Sequence, residues 1–498
     1  MTSEAVVRGS DTEFETVIGL EVHAQLRTES KMFCRCAAAY ADAPANTFVC
    51  PVCQGMPGML PVINEIGVEW TIKTALALDM EVPELSKFDR KNYHYPDLMK
   101  GYQISQFDLP LGINGHLDVV VDGETRRLGI TRVHLEEDTA RLLHRTDAAG
   151  EGYSLLDVNR SGVALMEVVS EPDMRSPDEA RAYLVALRQI LRYLRVSNAN
   201  MEQGSFRCDA NISLRPVGTE ALGTKVEIKN MNSLRAIHKA LQYEEKRQAA
   251  ALRQGEQLIQ ETRGWEEGDE ITVPQRSKEY AHDYRYFPEP DLPPVRTSRE
   301  QVEAIRRLLP ELPAAKRARF ARQYGLGEFE IALLTEEIER ADYYETAVAA
   351  SGEQSNENAK GIANWMVGDL GRMLNESGDA FGDVKIEPSQ LADLVALIAA
   401  GTISSKIAKS VFESMYASGD DPAAIVEKSG QTQISDESEL RTVIEGVVAE
   451  QSKAVADYQA GKEEAVKFLV GQIMRATRGR ANPTEANRLL LEVLGGQS

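Results

Sequence analysis

Four side chains able to bind a metal or a proton stand at alternate positions of strand-like runs. Residues 20–26, 208–215 and 225–229 each alternate apolar with polar side chains. Successive strand residues face opposite sides. Each run therefore buries one face and offers Glu21, His23, Asp209 and Glu227 on the other. Glu136, Glu137 and Asp138 add an acidic cluster. Hard divalent cations such as magnesium take oxygen ligands and share them with substrate phosphates. A face crowded with acids would repel ATP unless metal ions intervened, so the pattern suits metal-bridged phosphoryl transfer. Taken singly, each acid reads more readily as a solvated outer-face residue. Glu137 fails the parity rule, because it shares a side with Val133 and Leu135 unless a bulge re-aims it.

The cysteines form a second constellation. Four of the five crowd into one stretch as Cys34-x-Cys36 and Cys50-x-x-Cys53. Two thiol pairs joined by a short loop can surround a tetrahedral zinc with four thiolates. Such a site has no open position, which points to folding rather than catalysis. Reduced structural cysteines or a redox pair are the alternatives. Cys208 stands alone at an apolar strand position and reads as core.

Two further segments carry charge in patterns that could bind anions. Residues 89–106 are dense in charged and aromatic side chains, and their turn residues suggest a loop. Lys91 could act there as a point cation for phosphate or polar substrate groups; a hydrogen-bonded surface loop is the plainer reading. Near the C-terminus Lys462, Lys467, Arg475, Arg478 and Arg480 outweigh Glu463 and Glu464. A local basic patch is what phosphate-backbone contact requires, and a solvated helix face is again the alternative. Gly479 and Pro483 suit the end of that helix. No Walker-type phosphate loop and no dinucleotide fingerprint is present, so a nucleotide site would have to be built on the sheet. No serine or cysteine nucleophile arrangement is visible either.

The elements that must hold these residues fall into three regions. Residues 1–295 are rich in period-2 runs and turn residues, and half-solvated sheets of this kind are usually antiparallel. Ser176, Pro177 and Glu179 mark a helix start with a capping box, and Leu184, Leu187, Leu191 and Leu194 form its apolar stripe. That helix should cover the sheet. The prolines of 286–294 forbid a helix or a central strand. Residues 296–405 and 406–498 are helical in pattern, with clear segments at 300–309 and 359–374. The fold class expected is α+β. The 498 residues, 43% hydrophobic and 27% charged, are ordinary for globular protein. The first residues lack a secretory pattern, and no stretch is apolar enough to span a membrane, so a cytoplasmic location is expected. A net charge of −21 opposes non-specific attraction to nucleic acid, so any RNA contact must use a local basic surface.

Several runs are specific enough to carry a resemblance: FETVIGLEVH at 14–23, KFDRKNY at 87–93, EQGSFRCDAN at 202–211, DYRYFPEPD at 283–291 and FLVGQ at 468–472. With these the chain resembles, over nearly its whole length, the GatB family, the B subunits of the bacterial glutamyl-tRNA(Gln)/aspartyl-tRNA(Asn) amidotransferases. The resemblance implies an antiparallel-sheet cradle domain similar to glutamine synthetase (1–295, with a zinc-binding insertion at 34–53). A helical domain (296–405) and a small helical tail domain that binds tRNA (406–498) would follow. It implies ATP-dependent phosphorylation of the side-chain carboxylate of Glu-tRNA(Gln) or Asp-tRNA(Asn), then amidation by ammonia. The ammonia would come from a glutaminase A subunit, with a C subunit completing a heterotrimer. By position, Glu21, His23, Glu137, Asp209 and Glu227 would be the magnesium and kinase-site residues. Lys91 would sit at the polar mouth of the ammonia route, and Cys34, Cys36, Cys50 and Cys53 would hold zinc. A ligase acting on a free small-molecule acid suits the carboxylate sheet equally well but has no use for a basic tail. A non-catalytic tRNA-binding module would leave the acids inert.

Overall fold

The computed structural model describes residues 6–7, 13–277, 284–352, 355–429, 437–460, 462, 464–477 and 480–495. The chain divides into two compact units at Leu312/Pro313. The first is α+β and the second is helical.

The first unit is built on a nine-stranded sheet. Its main path runs Ile271–Ser277, Glu261–Glu266, Val226–Lys229, Phe206–Pro216, Phe14–Gln25, Ala164–Ser170, Glu124–Glu137, Gly112–Val121, and Val6–Val7 pairs with Phe14–Gln25 off that path. Neighbours are antiparallel except Val226–Lys229 beside Glu261–Glu266. That parallel step departs from the antiparallel expectation and has a simple cause: helix Leu234–Arg253 connects the two strands and returns the chain in the same direction.

The period-2 runs become strands with one buried face. Ile18, Leu20, Val22 and Ala24 are buried and join one core with Cys208, Ala210 and Ile212. Helix Pro177–Tyr193 packs into that core through Leu184, Leu187 and Leu191, none of which keeps exposed surface. Ser176 caps the helix by accepting the Glu179 N–H at 3.1 Å. The reciprocal arm of the expected box is displaced by one residue: the Glu179 carboxylate accepts from the Arg175 N–H at 2.7 Å. With both long helices packed into this core, Val17, Gly19, Glu21 and His23 are left on the opposite face.

The segment 89–106 is a hairpin: its arms are strands, and the loop that the turn residues suggested is confined to 93–101. Asp89–Asn92 pairs with Tyr102–Ser105, and Phe287–Pro288 adds an edge strand. That edge strand lies nearly two hundred residues away, so local pattern could not announce it. Arg90 locks the assembly with a forked ion pair to Glu289 (2.6 and 2.8 Å) and lies over the Tyr102 ring. The proline-rich stretch contributes only a two-residue edge, as its missing N–H groups require.

In the second unit, Ser355–Trp365 continues through a π-helical turn, Met366–Leu370, into Gly371–Ser377. One core gathers residues between Phe320 and Val426, and another gathers residues between Leu440 and Leu494. Helix Glu464–Ala476 buries Leu469 and Ile473. Pro483 opens the last helix, Pro483–Gly495, instead of ending the one before it.

The sheet depends on its helical cover, so Leu187→Ala should lower the stability of the first unit by about 2–5 kcal/mol. Equilibrium denaturation of the full chain measures this. A loss below about 1 kcal/mol would mean the helix is not part of the core that fixes the sheet.

Candidate active site and metal centre

Strand register, rather than any loop, brings the candidate residues together. His23 lies directly opposite Glu167 on one side and Arg207 on the other. Glu167 lies opposite His134 on the next strand. A row Arg207–His23–Glu167–His134 thus crosses four strands. The neighbouring row is Asp209–Glu21–Val169–Arg132, and Asn211 pairs with Glu227 beyond it. All of these side chains but Val169 line one cleft of about 540 Å³, together with Lys91, Lys229 and Tyr284.

The centre of the row is a pair of imidazoles sharing one carboxylate. The Nε2 atoms of His23 and His134 lie 3.2 and 3.3 Å from Glu167 Oε2. Glu136 sits 3.6 Å from His23 and 3.7 Å from His134, and accepts a hydrogen bond from Ser105 Oγ at 3.0 Å. Burial alone would lower the two imidazoles, but Glu167 and Glu136 outweigh it and raise both to about 9. Burial would likewise raise the two carboxyls, yet His134 and His23, joined at Glu136 by Lys91, hold both below the ordinary carboxylate range. Glu21, with a third of its side chain open to the cleft, is pushed up by burial and by the Glu167 charge.

The donor set suits a hard cation. The ligand atoms of Glu21, His23 and Glu167 lie within 4.8 Å of one another, as do those of His134, Glu136 and Glu167. Oxygen-rich donors with Glu167 common to both groups match what magnesium accepts beside phosphate oxygens. Cations complete the cleft. Lys229 lies 2.6 Å from Asp209 and 3.4 Å from Glu227, while Arg207 holds the buried Asp138 at 3.1 Å. Lys91 Nζ sits 5.0 Å over the Tyr284 ring, and Glu136 and Glu167 favour its charged form against the cost of burial.

Of the expected residues, Glu21, His23, Asp209, Glu227 and Lys91 meet in this cleft. Glu137 does not. The strand keeps its register through Glu136 and Glu137, so no bulge re-aims the side chain. It is buried on the other side, where it accepts from Lys100 Nζ at 2.5 Å and from the Ile104 N–H at 3.0 Å. It borders a smaller cavity with Cys34 and Cys53. Sequence reading passed over Glu167 and His134, and named Glu136 only within the acidic cluster 136–138. Two signals could have found them. His134-x-Glu136 has the same i,i+2 spacing as Glu21-x-His23, and Glu167 is the one acid in the apolar run 163–169.

The four clustered cysteines converge as well. Their Sγ atoms lie within 4.8 Å of one another, with Cys50 and Cys53 3.9 Å apart. A tetrahedron with Zn–S of about 2.3 Å needs roughly 3.8 Å between sulfurs. The Cys50 N–H donates to Cys53 Sγ at 3.1 Å and the buried Lys31 ammonium lies 3.7 Å from it, both favouring thiolate. Cys208 is buried in the core. In the C-terminal segment Lys462, Lys467 and Arg475 are exposed, Arg480 is half-buried, and Arg478 lies outside the described residues. Lys462 is paired with Asp457 at 2.9 Å. Among the described residues no helix is long and apolar enough to cross a membrane.

Comparison with known proteins agrees with this architecture. A family model described as the GatB/GatE catalytic domain matches residues 16–303, and one described as the GatB domain matches 342–494. The B subunit of the aspartyl/glutamyl-tRNA(Asn/Gln) amidotransferase of Thermomicrobium roseum is 57% identical over 482 residues, covering 97% of this chain and 99% of that protein. The proteins of the same name from Dehalococcoides mccartyi and Brevibacillus brevis are 55% and 51% identical, with the same coverage of both chains. The chain therefore belongs to the GatB/GatE family.

Proposed function

We propose that this chain is the B subunit of an aminoacyl-tRNA amidotransferase, converting Glu-tRNA(Gln) and Asp-tRNA(Asn) to Gln-tRNA(Gln) and Asn-tRNA(Asn). In this reading the cleft activates the side-chain carboxylate with ATP. A carboxylate oxygen attacks the γ-phosphorus, ADP leaves, and an acyl phosphate forms. Ammonia then adds to the acyl carbon. The C–O bond to phosphate breaks with its electron pair, inorganic phosphate departs, and the nitrogen loses a proton to give the amide. Phosphate leaves far more readily than oxide, which is why a nucleoside triphosphate is spent. A glutaminase A subunit would supply the ammonia and a C subunit would complete the assembly, in keeping with the amidotransferase named in the relatives.

The row His23–Glu167–His134, flanked by Glu21 and Glu136, carries the reading. Glu21, His23, Glu136 and Glu167 would hold magnesium, which when bound neutralises charge on phosphate oxygens. Around it, Lys91, Arg207 and Lys229 give two polyanions, ATP and the tRNA carboxylate, a cleft that does not repel them. Lys91, framed by Tyr284, would also form the polar mouth through which ammonia enters. Lys467 and Arg475, eight residues apart on one helix face, offer the tRNA backbone an exposed basic strip, which Lys462 and Arg480 would extend. The four cysteines would hold zinc as a structural cross-link of 34–53.

Ammonia-dependent amidation of Glu-tRNA(Gln), with the A and C subunits, ATP and magnesium, tests the site. Asp209→Ala and Glu167→Gln should each lower kcat by about 100-fold or more. Equal product from wild type and both variants would remove the sheet face from the mechanism. Turnover of free glutamate without tRNA would favour a small-molecule ligase. For the cysteines, elemental analysis should find about one zinc per chain, lost in Cys50→Ser and Cys53→Ser; wild-type protein purified free of zinc yet equally stable would overturn that assignment.

A further inference from the structure

One rim of the carboxylate cleft is a wall of aromatic rings. Phe107, Tyr286, Tyr284 and Tyr93 line the cleft together with Glu136, Glu167 and Lys91. None of the four rings joins the core beneath the nine-stranded sheet. They come from the turn after Tyr102–Ser105, from the residue after Asp89–Asn92 and from the approach to Phe287–Pro288. Phe107 and Tyr286 are stacked, with ring centroids 4.3 Å apart and planes 8° from parallel.

The pair is held from two sides. Tyr284 meets the Tyr286 ring edge-on at 6.0 Å and 73°, and Tyr93 meets Tyr284 at 5.8 Å and 70°. The turn that carries Phe107 is pinned as well. The Phe107 N–H donates to Asp89 Oδ2 at 3.1 Å, and the Gln106 carboxamide oxygen accepts from the Leu135 N–H at 3.0 Å. Leu135 lies on strand Glu124–Glu137, between His134 and Glu136, so the stacked pair is registered on the strand that supplies two site residues. Phe107 is nevertheless 56% exposed. A ring so placed buries little area and adds little to the fold. Fixed in orientation at the mouth of a cleft, it offers a π-face to a flat ligand.

We propose that this shelf stacks the terminal base of the aminoacyl-tRNA 3′ end, with Phe107 as the platform and Tyr286 as its backing. The inference rests on the reading of the cleft as the place where a tRNA-bound glutamate or aspartate is phosphorylated. The side chain of either amino acid is short, and its α-carboxyl is esterified to the terminal ribose. With the side-chain carboxylate beside Glu136 and Glu167, the ribose and its base can reach no further than the rim. Every tRNA ends in the same nucleotide, so the base there has to be held and not read. Stacking on an aromatic ring is how unpaired RNA is commonly held, and it needs no hydrogen-bond code. Arg132 lines the same cleft with 36% of its side chain exposed, and offers a cation to the phosphate that precedes the terminal nucleotide. The shelf also separates substrates, because free glutamate brings the same carboxylate but no base.

The test is ammonia-dependent amidation by the assembled enzyme, with Glu-tRNA(Gln) varied at saturating ATP and ATP varied at saturating Glu-tRNA(Gln). Phe107→Ala removes an exposed ring and should fold. Its kcat/KM for Glu-tRNA(Gln) should fall about tenfold while its KM for ATP stays within about twofold. Phe107→Trp keeps a ring and should stay within about threefold of wild type. Glu-tRNA(Gln) that ends in an abasic ribose should lose about tenfold with wild-type enzyme and almost nothing further with Phe107→Ala, because ring and base act as one pair. Tyr286→Leu removes the backing, should show the same loss, and decides the matter should Phe107→Ala fail to fold. An unchanged kcat/KM for Glu-tRNA(Gln) in the variants, or losses from ring and base that multiply, overturns the shelf and leaves the amidation reading standing. A raised KM for ATP overturns it too, because the ring would then serve the nucleotide. Wild-type enzyme that amidates free glutamate as well as Glu-tRNA(Gln) removes both.

Discussion

Everything in the N-terminal unit turns on one electrostatic constraint: several carboxylates must share a single sheet face at close range without forcing it apart. Glu136 and Glu167 are almost fully buried, and Glu21 and Asp209 are close by. Carboxylates left unpaired in such a place would protonate or unfold the site, since removing one partner of a buried ion pair typically costs about 3–5 kcal/mol. The fold answers by interleaving charge. His23 and His134 flank Glu167, Lys229 sits between Asp209 and Glu227, and Arg207 and Arg160 hold Asp138. Glu167 and Glu136 in turn hold the two buried imidazoles toward their charged form against the cost of burial.

A sheet is suited to this task because its register is fixed by what lies beneath it. A one-residue slip would bury Glu21 and His23 and expose Leu20 and Val22, so the core specifies the open face. Cross-strand neighbours then stand about 4.5–5.5 Å apart, close enough for three side chains from three strands to share one ion. The strands are rigid where a loop would not be. The peripheral hairpin 89–105, pinned by Arg90 to Glu289, brings Lys91, Gln103 and Tyr284 to the rim of the same cleft.

Period-2 alternation was legible from sequence, and it assigned Glu21, His23, Asp209 and Glu227 to the open face because that depends only on parity. Parity also put Glu137 on the covered side, where the structure has it, while family position would have grouped it with the others. What could not be read locally is which strands become neighbours. Glu167 sits in an apolar run and acquires meaning only when 164–170 inserts between 14–25 and 124–137. The pairing of the hairpin at 89–105 is local, but the edge strand Phe287–Pro288 that joins it is not. The convergence of the four cysteines was the easiest reading, since two closely spaced thiol pairs within twenty residues are readily brought together. Pro483 shows the converse: a proline between two helical patterns can end one or begin the next, and only the backbone distinguishes them.

The central claim is that the side-chain carboxylate of the tRNA-bound amino acid is itself phosphorylated before nitrogen arrives. Glu-tRNA(Gln) carrying 18O in both oxygens of its γ-carboxylate, amidated by the assembled enzyme with ATP and ammonia, tests it most directly. Transfer of the label to inorganic phosphate, about one 18O for each amide formed, is the result predicted, because the oxygen that attacks phosphorus leaves with it. Amide formed while the phosphate stays unlabelled would contradict the account, since ATP would then be spent elsewhere than on the carboxylate.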